Sequence, residues 1–323
     1  MTSPNSSFNE LLSLTIQELQ DVLFDQISAK NATTALLKEH NAIRGVDGGP
    51  QIVVPIMYAE NGSYKRYSGA EQLNTTSNDV FTSFNYPWCQ IAINIQANGR
   101  EIAQNSGSSM HRDLLKSRVM NAKASFENNF NEDLLSDGSA TNQINGFQAL
   151  ISDNGTGTVG GIARATYSFA KNQFYRATTD GGAALTATNI VAYMDDLDLL
   201  ISAYKGNTKA ILADNTAYKY FEGNVHPLQR ITANDGKLAK LGFKTYAYKN
   251  AEVVFEPTIA GMPSATMYFL DPEVLELVHH TDRNLVRLPK RESFNQDAQI
   301  EYMVWMGNLV AKNFRRLGVL NND

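Results

Sequence analysis

The chain has 323 residues, 43% hydrophobic and 19% charged, enough to bury one large core or two ordinary ones. Lys and Arg number 28 against 33 Asp and Glu, a formal net charge of −5, which is the wrong sign for a protein built to coat nucleic acid. No apolar run approaches the roughly 18 to 20 residues that span a bilayer, no basic-then-apolar leader opens the sequence, and Cys89 alone can form neither an internal disulfide nor a cysteine-based zinc site. These features predict a soluble, mildly acidic protein made in a reducing compartment.

Phe8, Leu12, Ile16, Leu19, Leu23 and Ile27 recur at three- and four-residue steps and predict an amphipathic helical segment within the first forty residues. Ser7 with Glu10, and Thr15 with Glu18, match capping boxes, so two helices meeting near Leu14 are compatible with the pattern. The stripe needs a surface, on its own chain or on a neighbour. Three glycines and a proline between Asn41 and Pro50 mark a boundary. Gln51 to Tyr58 then reads as a strand, with Pro55 placing it at an edge. From Trp88 to Ala97 a second strand alternates Cys89, Ile91, Ile93 and Ile95 with Gln90, Ala92, Asn94 and Gln96.

Between these strands lies a long, polar, glycine-punctuated stretch. Its Tyr64, Tyr67, Phe81, Phe84 and Tyr86 are too scattered to build a core of their own. Such a connection is either a floppy hairpin or functional. The functional expectation is an extended β arm whose aromatics, with Lys65 and Arg66, rest on another subunit. Deleting about Asn61 to Tyr86 is then expected to leave the subunit folded and to stop assembly.

From about Met110 to Leu135, the residues Leu115, Val119, Phe126, Phe130 and Leu134 hold one face of a long helix closed by Asp137 and Gly138. At 1.5 Å per residue it measures on the order of 40 Å. Arg112, Lys116, Arg118 and Lys123 come first, then Glu127, Glu132 and Asp133, an order that opposes the helix dipole. This is either a solvated face or a charge pattern that pairs rods on adjacent copies. On the second reading Arg112, Lys116, Lys123, Glu127 and Glu132 are interface residues.

After Thr188 the pattern alternates. Ile190, Val191, Met194, Leu197 and Ile201 make an amphipathic helix that Gly206 ends. Strand KAILAD, helix TAYKYFEGN, strands GFKTYAYKN, AEVVFEP and TMYFLD, and a short stretch VLELVHH follow. Asp297 to Leu317 reads as one long or bent strand crossing a sheet. No internal repeat is visible.

Motifs for chemistry are sparse. Gly155-Thr156-Gly157-Thr158-Val159-Gly160 satisfies G-x-G-x-x-G, with Asp180 twenty residues beyond the last glycine. A dinucleotide site needs a strand before the glycines, a helix opening at them, and a second strand ending at the acid. Leu150 and Ile151 give only a thin strand signal, and Asp180 sits in the turn-like ATTDGG. A glycine-rich surface loop is the simpler reading; a dinucleotide-dependent oxidoreductase is the competing one. His279 and His280 are adjacent and point to opposite sides of a strand, while His40, His111 and His226 stand alone, so no metal site is expected. Asp195, Asp196 and Asp198 read as the wet face of a helix rather than a calcium loop. Lys312, Arg315 and Arg316 form a basic knot too small for a nucleic-acid site. No enzymatic activity and no cofactor is expected.

Four segments, GGIARATYSFAKNQ (160–173), ADNTAYKYFEGNVHPLQRI (213–231), VVFEPTIAGMPSATMYFLDPEVLELVHHTDRNL (253–285) and NQDAQIEYMVWMGNLVAKNFRRLGVL (295–320), resemble the major capsid proteins of tailed bacteriophages with the Hong Kong 97-type fold. The resemblance implies an α+β fold. It comprises an N-terminal arm (1–48), an extended β loop (50–103), a peripheral domain with a long spine helix (104–186 and 276–323), and an axial domain with a mixed sheet (187–275). Glycines 160 and 161 become a sharp bend. The implied function is a shell subunit that forms hexamers and pentamers of an icosahedral head around double-stranded DNA, assembled in the host cytoplasm. The implied partners are sister subunits, a portal protein, a decoration protein, and DNA held by weak non-specific contacts, with no membrane.

Many such proteins carry a long N-terminal scaffolding segment. About 48 residues leave no room for one, so a separate scaffolding protein is implied, or a mature product. Some members form a Lys–Asn cross-link between subunits; Lys65 is placed as a donor, but no partner Asn is assignable and no link is expected. An encapsulin-like compartment shell is the alternative on the same fold.

Overall fold

The computed structural model describes residues 31–104, 114–225, 245–256, 261–289, 291–292 and 297–323. The stripe from Phe8 to Ile27, Arg112, His111 and His226 lie outside them. The described chain opens with helix α1 (Ala32–Glu39), whose Ala32, Leu36 and Leu37 are buried, and strand β1 (Ile43–Val46). Strands β2 (Ile52–Met57) and β3 (Phe81–Tyr86) form an antiparallel hairpin, in register from Ile52 opposite Tyr86 to Met57 opposite Phe81. Strand β4 (Cys89–Asn98) keeps the alternation read from sequence: Cys89 and Ile95 are buried, Ile91 and Ile93 half-buried, and the residues between them exposed.

The short helix α2 (Gly99–Gln104) precedes the long helix α3 (Leu114–Leu135), whose 22 described residues span about 33 Å. Phe126, Phe130 and Leu134 are buried as their spacing requires, and Phe130 meets the Trp305 ring edge-on at 4.9 Å. Helix α4 (Phe147–Leu150) ends at Leu150, one of the two residues with a thin strand signal, because Phe147 and Leu150 both insert into the core. Two short strands, β5 (Thr158–Val159) and β6 (Ile162–Ala163), form a hairpin, and β7 (Gln173–Arg176) follows.

Helix α5 (Ile190–Ser202) buries Ile190, Met194, Leu197 and Ile201, and the Gly206 N–H closes it on the Ile201 carbonyl at 3.1 Å. Strand β8 (Ala210–Ala213) runs into helix α6 (Asn215–Val225) through Asp214, a fully buried carboxylate that accepts the N–H groups of Thr216 (3.1 Å) and Ala217 (2.9 Å). Strands β9 (Thr245–Tyr248), β10 (Ala251–Phe255), β11 (Met267–Leu270), β12 (Leu275–His280), β13 (Val286–Arg287), β14 (Arg291–Glu292), β15 (Ala298–Ala311) and β16 (Gly318–Asn321) complete the described chain.

These strands build two large sheets. In the first, β15 is the axis: β4 pairs antiparallel along one edge, while β14, β13 and β12 share the other in succession. Strand β1 pairs parallel to β12 outside them. The second sheet has the mixed order β7-β16-β11-β8-β10-β9. Its residues sort by parity onto two cores. Ala210, Leu212, Val254, Tyr268, Leu270 and Val319 face the core shared with α1, α3 and the first sheet. Ile211, Ala213, Val253, Met267, Phe269 and Leu320 face α5 and α6. The second sheet is therefore the wall between two cores, buried on both faces, and its central strands read as apolar runs for that reason.

Of the two forms expected for Asp297 to Leu317, one long strand or a bent one, the chain takes a corner between two strands. Strand β15 ends at Ala311, a 3-10 turn (Phe314–Arg316) follows, and β16 crosses into the second sheet between β7 and β11. Phe314, 1% exposed, plugs the core at that corner and forces the change of direction. Strands β7 and β16 come from stretches assigned on resemblance to the peripheral unit, yet both belong to the sheet of residues 210–270.

Candidate assembly surface

The β2–β3 hairpin is anchored at its base and bare at its far end. Val54 and Phe84 pair across it, as do Ile52 and Tyr86, and all four are buried. Phe84 packs edge-on against Phe314 at 5.0 Å, and the Tyr86 hydroxyl donates to the Ala311 carbonyl at 3.2 Å. Burial drives the Tyr86 pKa well above the ordinary phenol range. Phe84 and Tyr86 are thus core residues of their own chain, not residues awaiting a neighbour. Strand parity puts them on the inner face, a distinction that composition could not make.

The other three aromatics are exposed. Tyr64 is 81% exposed, Tyr67 62% and Phe81 70%. Met57, directly opposite Phe81, is 73% exposed, and Val53 lies on the same outer face. Neither outer edge of this two-stranded sheet pairs with another described strand. The tip holds its shape with polar bonds: Asn61 Oδ1 accepts from the Ser63 N–H (3.0 Å) and from Asn78 Nδ2 (2.8 Å). Lys65 is paired with Glu71 at 2.9 Å and donates to the Gln72 carbonyl. Arg66 is exposed and has no carboxylate partner among the described residues.

On α3, the side chains of Lys116, Lys123, Glu127 and Glu132 are exposed. Arg118 is not available for a charge pattern between copies: it folds back onto the Glu101 carboxylate at 3.0 and 3.2 Å and onto the Gln96 carbonyl, and holds the Glu101 pKa down. Asp133 is held by Gln143 Nε2 at 2.7 Å.

The glycine motif has a packing role. Gly160 and Gly161, at φ +53° and +81°, are the two-residue turn of the β5–β6 hairpin, the conformation that favours glycine at both positions. A Cβ on Gly160 would stand 2.6 Å from the Phe84 Cβ, and one on Gly155 would stand 2.8 Å from the Phe174 ring. Arg164, 3% exposed, locks the loop by donating to the carbonyls of Ala149 (2.8 Å), Leu150 (2.6 Å) and Thr156 (3.2 Å). Asp180 is bonded to Arg176, whose own N–H it accepts at 2.9 Å, and closes a turn. No helix opens at the glycines and no strand ends at Asp180, which removes the geometry of a dinucleotide site.

The remaining clusters are spoken for. Asp195 and Asp198 both hold Lys249, at 2.9 and 2.8 Å, and Asp195 also accepts the Tyr248 hydroxyl. Lys312 pairs with Glu276, and Arg316 with Asp271 and Glu273, so the basic knot is largely neutralised. Lys209 and Arg316 together hold the Glu273 carboxyl down at about 2. Among the described residues no group of three His, Cys, Asp or Glu side chains could hold a metal, and no helix is long and apolar enough to cross a membrane.

No family model and no curated protein matches the sequence. Solved structures do match its shape, end to end. The chain superposes on a subunit of the cyanophage A-1(L) capsid asymmetric unit with a TM-score of 0.68 and 15% identity, covering 95% of this chain and 96% of that one. The capsid of Myoviridae phage XM1 gives 0.56 at 13% identity, with 95% and 97% covered. The capsid of an empty GTA particle gives 0.55 at 14%, with 94% and 100% covered. The chain has the fold of a phage capsid subunit. The sequence resemblance carried by residues 160–320 and the observed architecture agree on fold class.

Proposed function

We propose that the protein is a structural major capsid protein that self-assembles into the hexamers and pentamers of an icosahedral phage head enclosing double-stranded DNA. The observation that supports this best is the end-to-end correspondence of the chain with subunits of assembled capsids. A two-stranded hairpin with an apolar outer face is marginal in water. Val53, Met57, Tyr64, Tyr67 and Phe81 gain by burial on a sister molecule, with Lys65 and Arg66 at the rim. The exposed charges of α3 (Lys116, Lys123, Glu127 and Glu132) supply a second, polar contact between copies. Repeated heterologous contacts of this kind build closed shells, and many modest contacts give avidity while each stays reversible.

A portal protein, a separate scaffolding protein and a decoration protein complete the particle on this reading, with assembly in the host cytoplasm. The net charge of −5 suits DNA that is enclosed and later released rather than tightly bound. The test is to purify the full chain, concentrate it with and without a scaffolding protein, and follow mass by light scattering and shape by negative-stain imaging. Closed shells of uniform diameter are expected. A chain that stays monomeric under every condition overturns the proposal.

A further inference from the structure

The sequence holds four Asn-Gly pairs, at residues 61–62, 98–99, 145–146 and 154–155. An asparagine before glycine is open to attack on its side-chain amide by the next backbone nitrogen, because a small ring closes within the chain and no Cβ stands in the way. The fold shields three of the four pairs. The Gly99 N–H is bonded to the Asp297 carbonyl at 2.9 Å, and Gly146 and Gly155 are buried. Asn61 and Gly62 at the hairpin tip are both exposed, and the Gly62 N–H meets no acceptor among the described residues. The Asn61 Oδ1 also takes three donors: the Ser63 N–H at 3.0 Å, the Ser63 hydroxyl at 2.7 Å and Asn78 Nδ2 at 2.8 Å. Donors aimed at a carbonyl oxygen stabilise the negative charge it gathers when a nucleophile adds to its carbon. Asn154 has a similar set, from Ser152 and Thr156, but a buried glycine follows it.

We propose that Asn61 is a self-modifying site, where the fold selects one asparagine for deamidation. The Gly62 nitrogen bonds to Asn61 Cγ, the Cγ–Nδ2 bond breaks, and Nδ2 leaves as ammonia with the proton from Gly62. Water then opens the cyclic imide. Cleavage of the new Cγ–N bond leaves an aspartate on the original backbone. Cleavage at the Asn61 carbonyl carbon leaves an isoaspartate, whose backbone runs through Cγ. Water enters, ammonia leaves, and nothing is oxidised or reduced. Either product adds a negative charge to the hairpin tip, beside the surface assigned to assembly, but the chemistry needs no assembly and is read on the free chain.

The full, unassembled chain is incubated at mildly alkaline pH, folded and in urea. Each Asn-Gly peptide is then followed by mass spectrometry, with isoaspartyl methyltransferase labelling the rearranged product. In the folded chain Asn61 should convert about tenfold or more faster than Asn98, Asn145 and Asn154, and in urea the four rates should converge. Gly62→Ala should slow conversion at Asn61 about tenfold, because the methyl crowds the attacking nitrogen. The variant keeps the fold: Gly62 is not left-handed, and an added Cβ comes no nearer than 3.8 Å, to Asn78 Nδ2. Asn78→Ala removes one donor from the Asn61 Oδ1 and should slow conversion about threefold or more. Equal conversion at all four sites in the folded chain, or none at Asn61, overturns the proposal. An unchanged rate in Asn78→Ala overturns the part assigned to the donors.

Discussion

Glu256 caps the first turn of α1 from 223 residues away: its carboxylate accepts the Thr33 N–H at 3.0 Å and the Thr33 hydroxyl at 3.1 Å. The other oxygen accepts from Asn131 Nδ2 of α3 at 2.7 Å. One fully buried carboxylate thus ties the arm helix, the long helix and the end of β10 together. The N–H groups of a first helical turn lack partners within the helix, and the positive end of the dipole faces the acid, so the charge has support although no cation pairs with it among the described residues.

Burial raises the Glu256 pKa above its ordinary 4.5, outweighing the bonds from Asn131 and Thr33. The proton is therefore bound more tightly in the folded state than in the unfolded one. Its contribution is fully present below 4.5 and is lost as pH rises through the raised folded value. Glu256→Gln is expected to abolish that component, because a neutral amide keeps an acceptor for Thr33 and offers a donor to the unpaired Asn131 Oδ1. Urea unfolding at about pH 5 and about pH 7 measures it: the variant should gain on wild type at the higher pH. Glu256→Ala should lose about 2 to 4 kcal/mol at either pH, since it strands buried donors on two helices. A Gln variant that loses as much as Ala, at both pH values, would contradict the charge argument.

Gly160→Ala should destabilise by about 1 to 3 kcal/mol, since the new methyl must push back Phe84 while holding a left-handed backbone. Phe84→Ala should cost about 3 to 5 kcal/mol through the cavity it opens beneath the hairpin. Both effects appear in chemical denaturation of the isolated chain. On a dinucleotide-site reading the glycine change would instead alter ligand binding and leave stability nearly untouched.

Arg164 is a buried cation with no carboxylate partner among the described residues; burial lowers its pKa to about 10, which leaves it charged at neutral pH. Its guanidinium reaches three carbonyls in two segments, beyond the reach of a single ammonium. Arg164→Met should cost about 2 to 4 kcal/mol, and Arg164→Lys should recover only part of it. Full recovery by lysine, in the same denaturation assay, would show that charge rather than fork geometry holds the loop.

Local periodicity made much of this molecule legible in the sequence. The alternation in β4, the buried stripe of α3 and the amphipathic α5 each record one face against one core, and each appears where the spacing puts it. Long-range partners left no such trace. Glu256, Asp214 and Arg164 look like ordinary surface charges in the sequence, and only the fold shows them buried and bonded to distant backbone. In the sequence Phe84 and Tyr86 read like the exposed aromatics, because the strand that fixes their parity begins at Phe81, inside a stretch that reads as loop. The corner at Phe314 leaves less trace: Val310 and Ala311 before it and Leu317 and Val319 after it are apolar, so the segment reads as one long or bent strand across the polar Lys312 to Arg316.

The same parity changes which experiment isolates the hairpin. Removing Asn61 to Tyr86 would take Phe84 and Tyr86 out of the core, so a failure to assemble would report unfolding. Met57→Ser with Phe81→Ser alters only the bare end, where each residue is at least 70% exposed. Surface changes of this kind usually stay within about 0.5 kcal/mol in a free subunit, whereas an apolar anchor at an interface costs about 2 kcal/mol or more when truncated. Every copy in a closed shell repeats the loss, so a modest change per contact should suppress closure altogether. Denaturation curves matching wild type, together with light scattering that stays at the mass of small oligomers, are the expected pair of results. Normal shells from the double variant would mean that the hairpin's apolar face is not what joins the subunits.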